Sequence, residues 1–247
     1  LIPISDIHLY TSHVRHPIVN VSLIVLNALA FIYGLTLTDV DTFVFNYRYG
    51  LVPNELTSGE LLGLVRTDVG MLDVTTPFPV WGTLDTSMFI HGGILHFGGN
   101  MVYLWVFGDN MENRMGHIQY LTFYLVTGLA ASGLQIMTAP SSQTPIIGAS
   151  GAIAGVLGSY LVLFPRNKVR VITVMYFITM IRVPAVGLLA FWFLLQFWGG
   201  FGTLGATGGG VAYWAHVGGF IAGMGIAGLY RLIAGHPPMS IDYDTYR

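Results

Sequence analysis

Six long apolar runs, at about 17–37, 88–108, 117–137, 147–164, 184–200 and 211–233, constrain what this chain can fold into. A helix that crosses a bilayer needs roughly 17–25 mostly apolar residues, and each run has that length. A seventh apolar stretch, about 170–181, is shorter and lies between Arg170 and Arg182. It is expected at the membrane interface or in a loop. Only 9% of the residues are charged, while 53% are hydrophobic; soluble domains carry roughly 25% charged residues. So few charges cannot cover a water-soluble globule of this size, whereas lipid does not penalise exposed apolar surface. The expected fold class is therefore all-α: a polytopic membrane protein with six transmembrane helices. Its long first loop, 38–87, carries Pro53, Pro77 and Pro79, and its half-apolar stretches at 43–52 and 61–72 are expected to rest on the membrane. Residues 1–16 form an N-terminal segment without a signal-peptide pattern, 17–233 the membrane domain and 234–247 a polar tail.

Lys and Arg orient the spans. With six spans both termini share one side, which collects Arg15, Arg114, Arg166, Lys168, Arg170, Arg182, Arg231 and Arg247; only Arg48 and Arg66 lie opposite. The termini are expected in the cytoplasm. The long first loop, the loop near 140 and the glycine-rich stretch 199–210 are expected outside.

Composition also removes function classes. The chain has no cysteine, so disulfides, thiolate metal sites and a cysteine nucleophile are excluded. There is no basic tract for nucleic acid and no His-Glu-x-x-His motif. The expectation is no cofactor and no metal, with the lipid bilayer as environment.

Ionisable groups inside a membrane are costly and are functional candidates by default. The second run carries His96 and Asn100, four apart and so on one helix face; His91 lies just before, off that face. The fourth opens with Gly148-Ala149-Ser150-Gly151, and the sixth with Ala215-His216-Val217-Gly218-Gly219. All three runs travel from outside to inside, so these groups fall at similar depth in the outer leaflet. Gly151 and Gly155 on one run, and Gly219 and Gly223 on the other, permit near backbone contact between the two helices. Taken singly, a serine in a glycine-rich helix is most often a packing residue, and an intramembrane histidine most often a hydrogen-bonder within the bundle. The set of three at one depth is more simply explained by one shared site.

Such a site suits acyl transfer. Ser150, at a helix N-terminus, has free backbone N–H groups and a dipole that favour negative charge. His216, if neutral at rest, can take the serine proton and return it to a leaving amine. With no Asp or Glu in the runs at that depth, a Ser–His dyad without an acidic third member is expected. His96 and Asn100 are placed to donate towards an oxyanion. The glycine-rich stretch 199–210 is placed to act as a mobile cap.

The motifs His96-Phe97-Gly98-Gly99-Asn100, Gly148-Ala149-Ser150-Gly151 and His216-Val217-Gly218-Gly219, in that order and after a long first loop, resemble the rhomboid family across nearly the whole chain. The resemblance implies an intramembrane serine endopeptidase in which Ser150 and His216 form the dyad and His96 and Asn100 serve the oxyanion. Its substrates would be transmembrane proteins, cut near the outer face through an acyl-enzyme. It further implies a multi-pass protein of a prokaryotic plasma membrane, a bulky gate residue at Trp198, and a structural polar pair, Glu112 and Arg114, at the inner end of the second span. The chain departs from some relatives at Ala154, where they carry a tyrosine stacked on the histidine, and at Gly99, where they carry a large apolar residue. Three other readings fit parts of the pattern: a non-catalytic rhomboid-like binder of membrane helices, a metal or haem protein using His91, His96 and His216, and a transporter.

Overall fold

Helices occupy all six expected places. The computed structural model describes residues 2–6, 16–174, 178–203 and 210–234. Over these residues the chain forms α1 (Ile18–Gly34), α2 (Asp39–Tyr49), α3 (Pro53–Ser58), α4 (Thr83–Thr86), α5 (Ile94–Met115), α6 (His117–Thr138), α7 (Ser150–Leu163), α8 (Ala185–Gly202) and α9 (Tyr213–Ala234). α6, α8 and α9 are long and apolar enough to cross a membrane by length and composition, and α1 and α7 are shorter apolar helices. Their lipid-type exposure is plain on α1, where Ile18, Val25, Leu26, Leu29 and Ile32 all point outward.

α5 begins and ends several residues later than its apolar run, and the polar residues of its last turns, Asp109, Asn110 and Glu112, are buried. The Glu112 carboxylate, fully buried, accepts the backbone N–H groups of Val19 and Asn20 at 2.9 and 2.7 Å. It thereby caps α1, whose own N-cap, Pro17, offers no side-chain bond. His117 Nδ1 adds a third contact at 2.5 Å. Asn20 donates to the Leu104 carbonyl and accepts from Tyr120 Oη at 2.8 Å. The Arg114 guanidinium sits 5.9 Å from the centroid of the Tyr230 ring.

The fold is mostly helical, as expected, and among the described residues five short strands accompany the helices. β1 (Ile2–Ser5), β4 (Lys168–Val174) and β5 (Ile178–Pro184) form an antiparallel sheet in the order β1-β4-β5. It sits at the end of the bundle where α7 stops and α8 starts, so the stretch expected at the interface or in a loop is a pair of antiparallel strands. Its odd-numbered residues Val169 and Val171 are buried and the even-numbered Lys168 and Arg170 exposed, the period of a half-buried strand. In the first loop, β2 (Leu64–Thr67) and β3 (Gly70–Asp73) form a hairpin.

The centre of the bundle is α7. Ten of its residues from Gly151 to Tyr160 run buried without a break. It is held by glycines rather than by large side chains. A Cβ on Gly219 or Gly223 of α9 would overlap the carbonyl oxygens of Gly151 and Gly155, and one on Gly158 would overlap that of Phe220. Ser159 Oγ donates to the Gly223 carbonyl at 2.8 Å. On the other side a Cβ on Gly151 would stand 2.7 Å from Ala131 of α6. Backbone-to-backbone approach of this kind is what small residues permit in membrane helices.

Candidate active site

The α7–α9 contact brings Ser150 and His216 together. Ser150 is the first residue of α7, and His216 lies in the first turn of α9. Their side chains meet with His216 Nε2 2.7 Å from Ser150 Oγ, across 66 residues of chain. The opening turn of α9 is fixed from α6, where Gln135 Oε1 accepts the Ala215 N–H at 3.1 Å. His216 is 9% exposed. Its other ring nitrogen, Nδ1, is 2.7 Å from Gln196 Oε1 on α8, and the Trp192 ring, one turn earlier on the same helix, lies 5.7 Å away at 38°. An aromatic neighbour for the histidine is therefore present. It comes from α8, while Ala154 on α7 is fully buried in the helix packing.

Gly148 holds the fourth corner. Its φ of +126° is a conformation that L side chains rarely adopt. A Cβ there would stand 2.7 Å from His96 Nε2 and 3.7 Å from Ser150 Oγ. His96 and Ser150 thus face the same small space, which only a glycine leaves open. His96 Nδ1 faces the Gly92 N–H at 3.4 Å, a contact that favours the proton on Nε2, the nitrogen turned towards Ser150. Asn100 Nδ2 donates to the His96 carbonyl at 3.0 Å and retains a second N–H. The first N–H groups of α7 have no partner within the helix.

These groups line a cavity of about 830 Å³, with Tyr103, Trp192 and Gln196 on its walls. Ser150, His216, His96 and Asn100 all border it, so the four expected site residues are brought to one place. His91 packs its ring against His96 with centroids 5.0 Å apart and is buried. Trp198 points away from the cavity, 70% exposed on the outer face of α8. Of the glycine-rich stretch, 199–202 complete α8, Thr203 and Gly210 border the cavity, and 204–209 lie outside the described residues, as does the tail 235–247. Among the described residues no cluster of three His, Cys, Asp or Glu is placed to hold a metal ion.

A sequence profile of the rhomboid domain matches residues 79–232, more than half of the chain. The chain belongs to the rhomboid family. Its similarity to curated rhomboids extends across kingdoms: 32% identity over 157 residues to RHOMBOID-like protein 4 of Arabidopsis thaliana, covering 63% of this chain and 35% of that protein. It is 33% identical over 87 residues to Rhomboid protein 1, mitochondrial, of Saccharomyces cerevisiae, covering 34% of this chain and 25% of the relative. With Rhomboid protease GluP of Bacillus subtilis the identity is 35% over 88 residues, 36% of this chain and 17% of that one. The chain thus spans about a third or less of the length of these relatives. Family membership and the apolar helices make it an integral membrane protein.

The rhomboid motifs read from the sequence are the residues that converge. Gln196, Trp192 and Gln135 were missed. A neutral amide in an apolar run carries no charge to flag it; the available signal was that Trp192 and Gln196, four apart, share one helix face.

Proposed function

We propose that this rhomboid is a serine-type intramembrane endopeptidase, a hydrolase that cleaves transmembrane helices near the outer membrane face. The observation that carries the reading is the 2.7 Å contact between His216 Nε2 and Ser150 Oγ inside a cavity. Ser150 Oγ attacks the scissile carbonyl as His216 Nε2 takes its proton. The charge that develops on the carbonyl oxygen meets the Ser150 backbone N–H, His96 Nε2–H and the second N–H of Asn100. Collapse of the tetrahedral intermediate expels the amine, which receives the proton from His216 and leaves an acyl-enzyme on Ser150. Water, activated by the same histidine, then releases the acid. The chemistry needs no cofactor.

Depth supports cleavage within the membrane thickness. α7 has 14 residues, roughly 21 Å at 1.5 Å per residue, against a hydrocarbon core of about 30 Å. A helix this short, at the centre of a six-span bundle, starts below one membrane face and leaves a water-accessible cavity above its N-terminus. The excess of Lys and Arg at the opposite ends supports an outward-facing cavity and cytoplasmic termini. Relatives include bacterial and mitochondrial proteins, so the charge asymmetry bears on orientation alone, and the prokaryotic plasma membrane rests on the resemblance of the motifs. Substrate helices would reach the cavity laterally past α8, meeting Trp198 on its outer face and Trp192 and Gln196 within.

Reconstitution with a panel of single-span transmembrane proteins tests this. Cleavage by the wild type, absent from Ser150→Ala and His216→Ala, is expected. Cleavage that persists in Ser150→Ala would overturn the reading and favour a non-catalytic binder carrying a contaminating protease.

A further inference from the structure

The second nitrogen of the general base has a dedicated partner. His216 Nδ1 lies 2.7 Å from Gln196 Oε1, in the same ring that presents Nε2 to Ser150 Oγ at 2.7 Å. An imidazole can accept the serine proton at Nε2 only if its one resting proton is on Nδ1, and that proton then needs an acceptor. Buried at 9% exposure, Nδ1–H left without one would carry a desolvation cost. The amide oxygen of Gln196 supplies the acceptor without a buried negative charge. Trp192, four residues earlier on α8, flanks the same ring, so one face of α8 sets both the tilt and the tautomer of the histidine.

We propose that Gln196 is the third member of the proteolytic hydrogen-bond chain, a positioning residue that holds His216 in the tautomer able to deprotonate Ser150. The proposal rests on the protease reading above. It replaces an unassisted dyad with a Ser150–His216–Gln196 chain whose last link comes from α8. The amide has two orientations, and only one serves. With its NH₂ turned to Nδ1, the histidine proton would sit on Nε2 and the serine would face a donor. The two orientations predict opposite responses to replacement by a pure acceptor. Other titratable groups bordering the cavity are His96 and Tyr103 of α5; α6, α7, α8 and α9 contribute no carboxylate or cation to its lining.

The test is a set of pH–rate profiles for wild type, Gln196→Leu and Gln196→Glu on a cleaved transmembrane substrate, with thermal midpoints measured in parallel. Gln196→Leu is expected to lower kcat roughly 10–100-fold, by analogy with the loss of a group that orients a metal-ligating histidine, with KM little changed. Gln196→Glu is expected to keep activity and to move the acidic limb to higher pH, because a carboxylate accepts Nδ1–H and favours the imidazolium. A purely structural glutamine would not move that limb. Wild-type kcat in Gln196→Leu, or an unshifted limb in an active Gln196→Glu, would overturn the proposal while leaving Ser150-dependent cleavage intact. A wild type inert towards both substrate and a fluorophosphonate would overturn the protease reading and this inference with it.

Discussion

Gly219 approaches the Gly151 carbonyl so closely that a Cβ on it would overlap that oxygen. This contact lies one residue beyond Ser150 on α7 and three beyond His216 on α9, and it fixes the distance between them. Replacing Gly219 by alanine must push the two backbones apart. Overpacking of this kind costs about 1–3 kcal/mol. The expected result is a lower thermal midpoint in detergent together with a larger loss of serine reactivity than a comparable destabilisation elsewhere would give. Unchanged reactivity would mean that the helix contact does not set the site.

Gly148→Ala strikes the site from another direction. The substitution adds a Cβ where φ is +126° and His96 Nε2 is 2.7 Å away, so His96 has to turn out of the space it shares with Ser150. Proteolysis is expected to fall at least ten-fold with the helical content unchanged, as read by kinetics and circular dichroism on one preparation.

Asn100→Ala removes one donor to the developing oxyanion. A loss of roughly 10²–10³ in kcat is expected, with little change in KM. Equal losses in kcat/KM from KM alone would instead assign Asn100 to substrate binding.

At the end of the bundle opposite Ser150, Asp6 couples pH to the N-terminal strand. Its carboxylate, buried at the end of β1, accepts from Asn110 Nδ2 at 2.5 Å and from the Tyr160 hydroxyl. Burial pushes its carboxyl up to about 8 from an ordinary 3.8, and Asp109 acts in the same direction. A raised value means the folded state favours the neutral acid. Docking of β1 is therefore strongest below about pH 4 and weakens as pH rises through about 8. The thermal midpoint of the wild type should fall between pH 5 and pH 9 by more than that of Asp6→Asn, which has no proton to lose. Parallel curves for the two proteins would contradict this account of Asp6.

The helices were legible because lipid demands continuous apolar runs, and the site was legible because Ser150, His216, His96 and Asn100 interrupt those runs at one level. What was not legible depends on partners distant in sequence. The end of α5 extends to Met115 because Glu112 caps α1, which a hydropathy window cannot register. β4 and β5 were read as an interfacial or loop stretch because the apolar run between Arg170 and Arg182 is too short to span. The alternation Lys168-Val169-Arg170-Val171 was the signal for a strand, and β1, at four residues, is too short to declare itself. Gln196 resembles any polar residue tolerated in a span until α8 is folded against α9. Trp198 stands out by bulk in the sequence, yet Trp192 is the tryptophan that reaches the histidine.

The central claim is that Ser150 is activated by His216. Intact-mass measurement after incubation with a fluorophosphonate, on the wild type, Ser150→Ala and His216→Ala, tests it most directly. The account predicts a single adduct on the wild type and none on either variant. A folded wild type that takes no adduct, or a His216→Ala protein labelled as fast as the wild type, would contradict it.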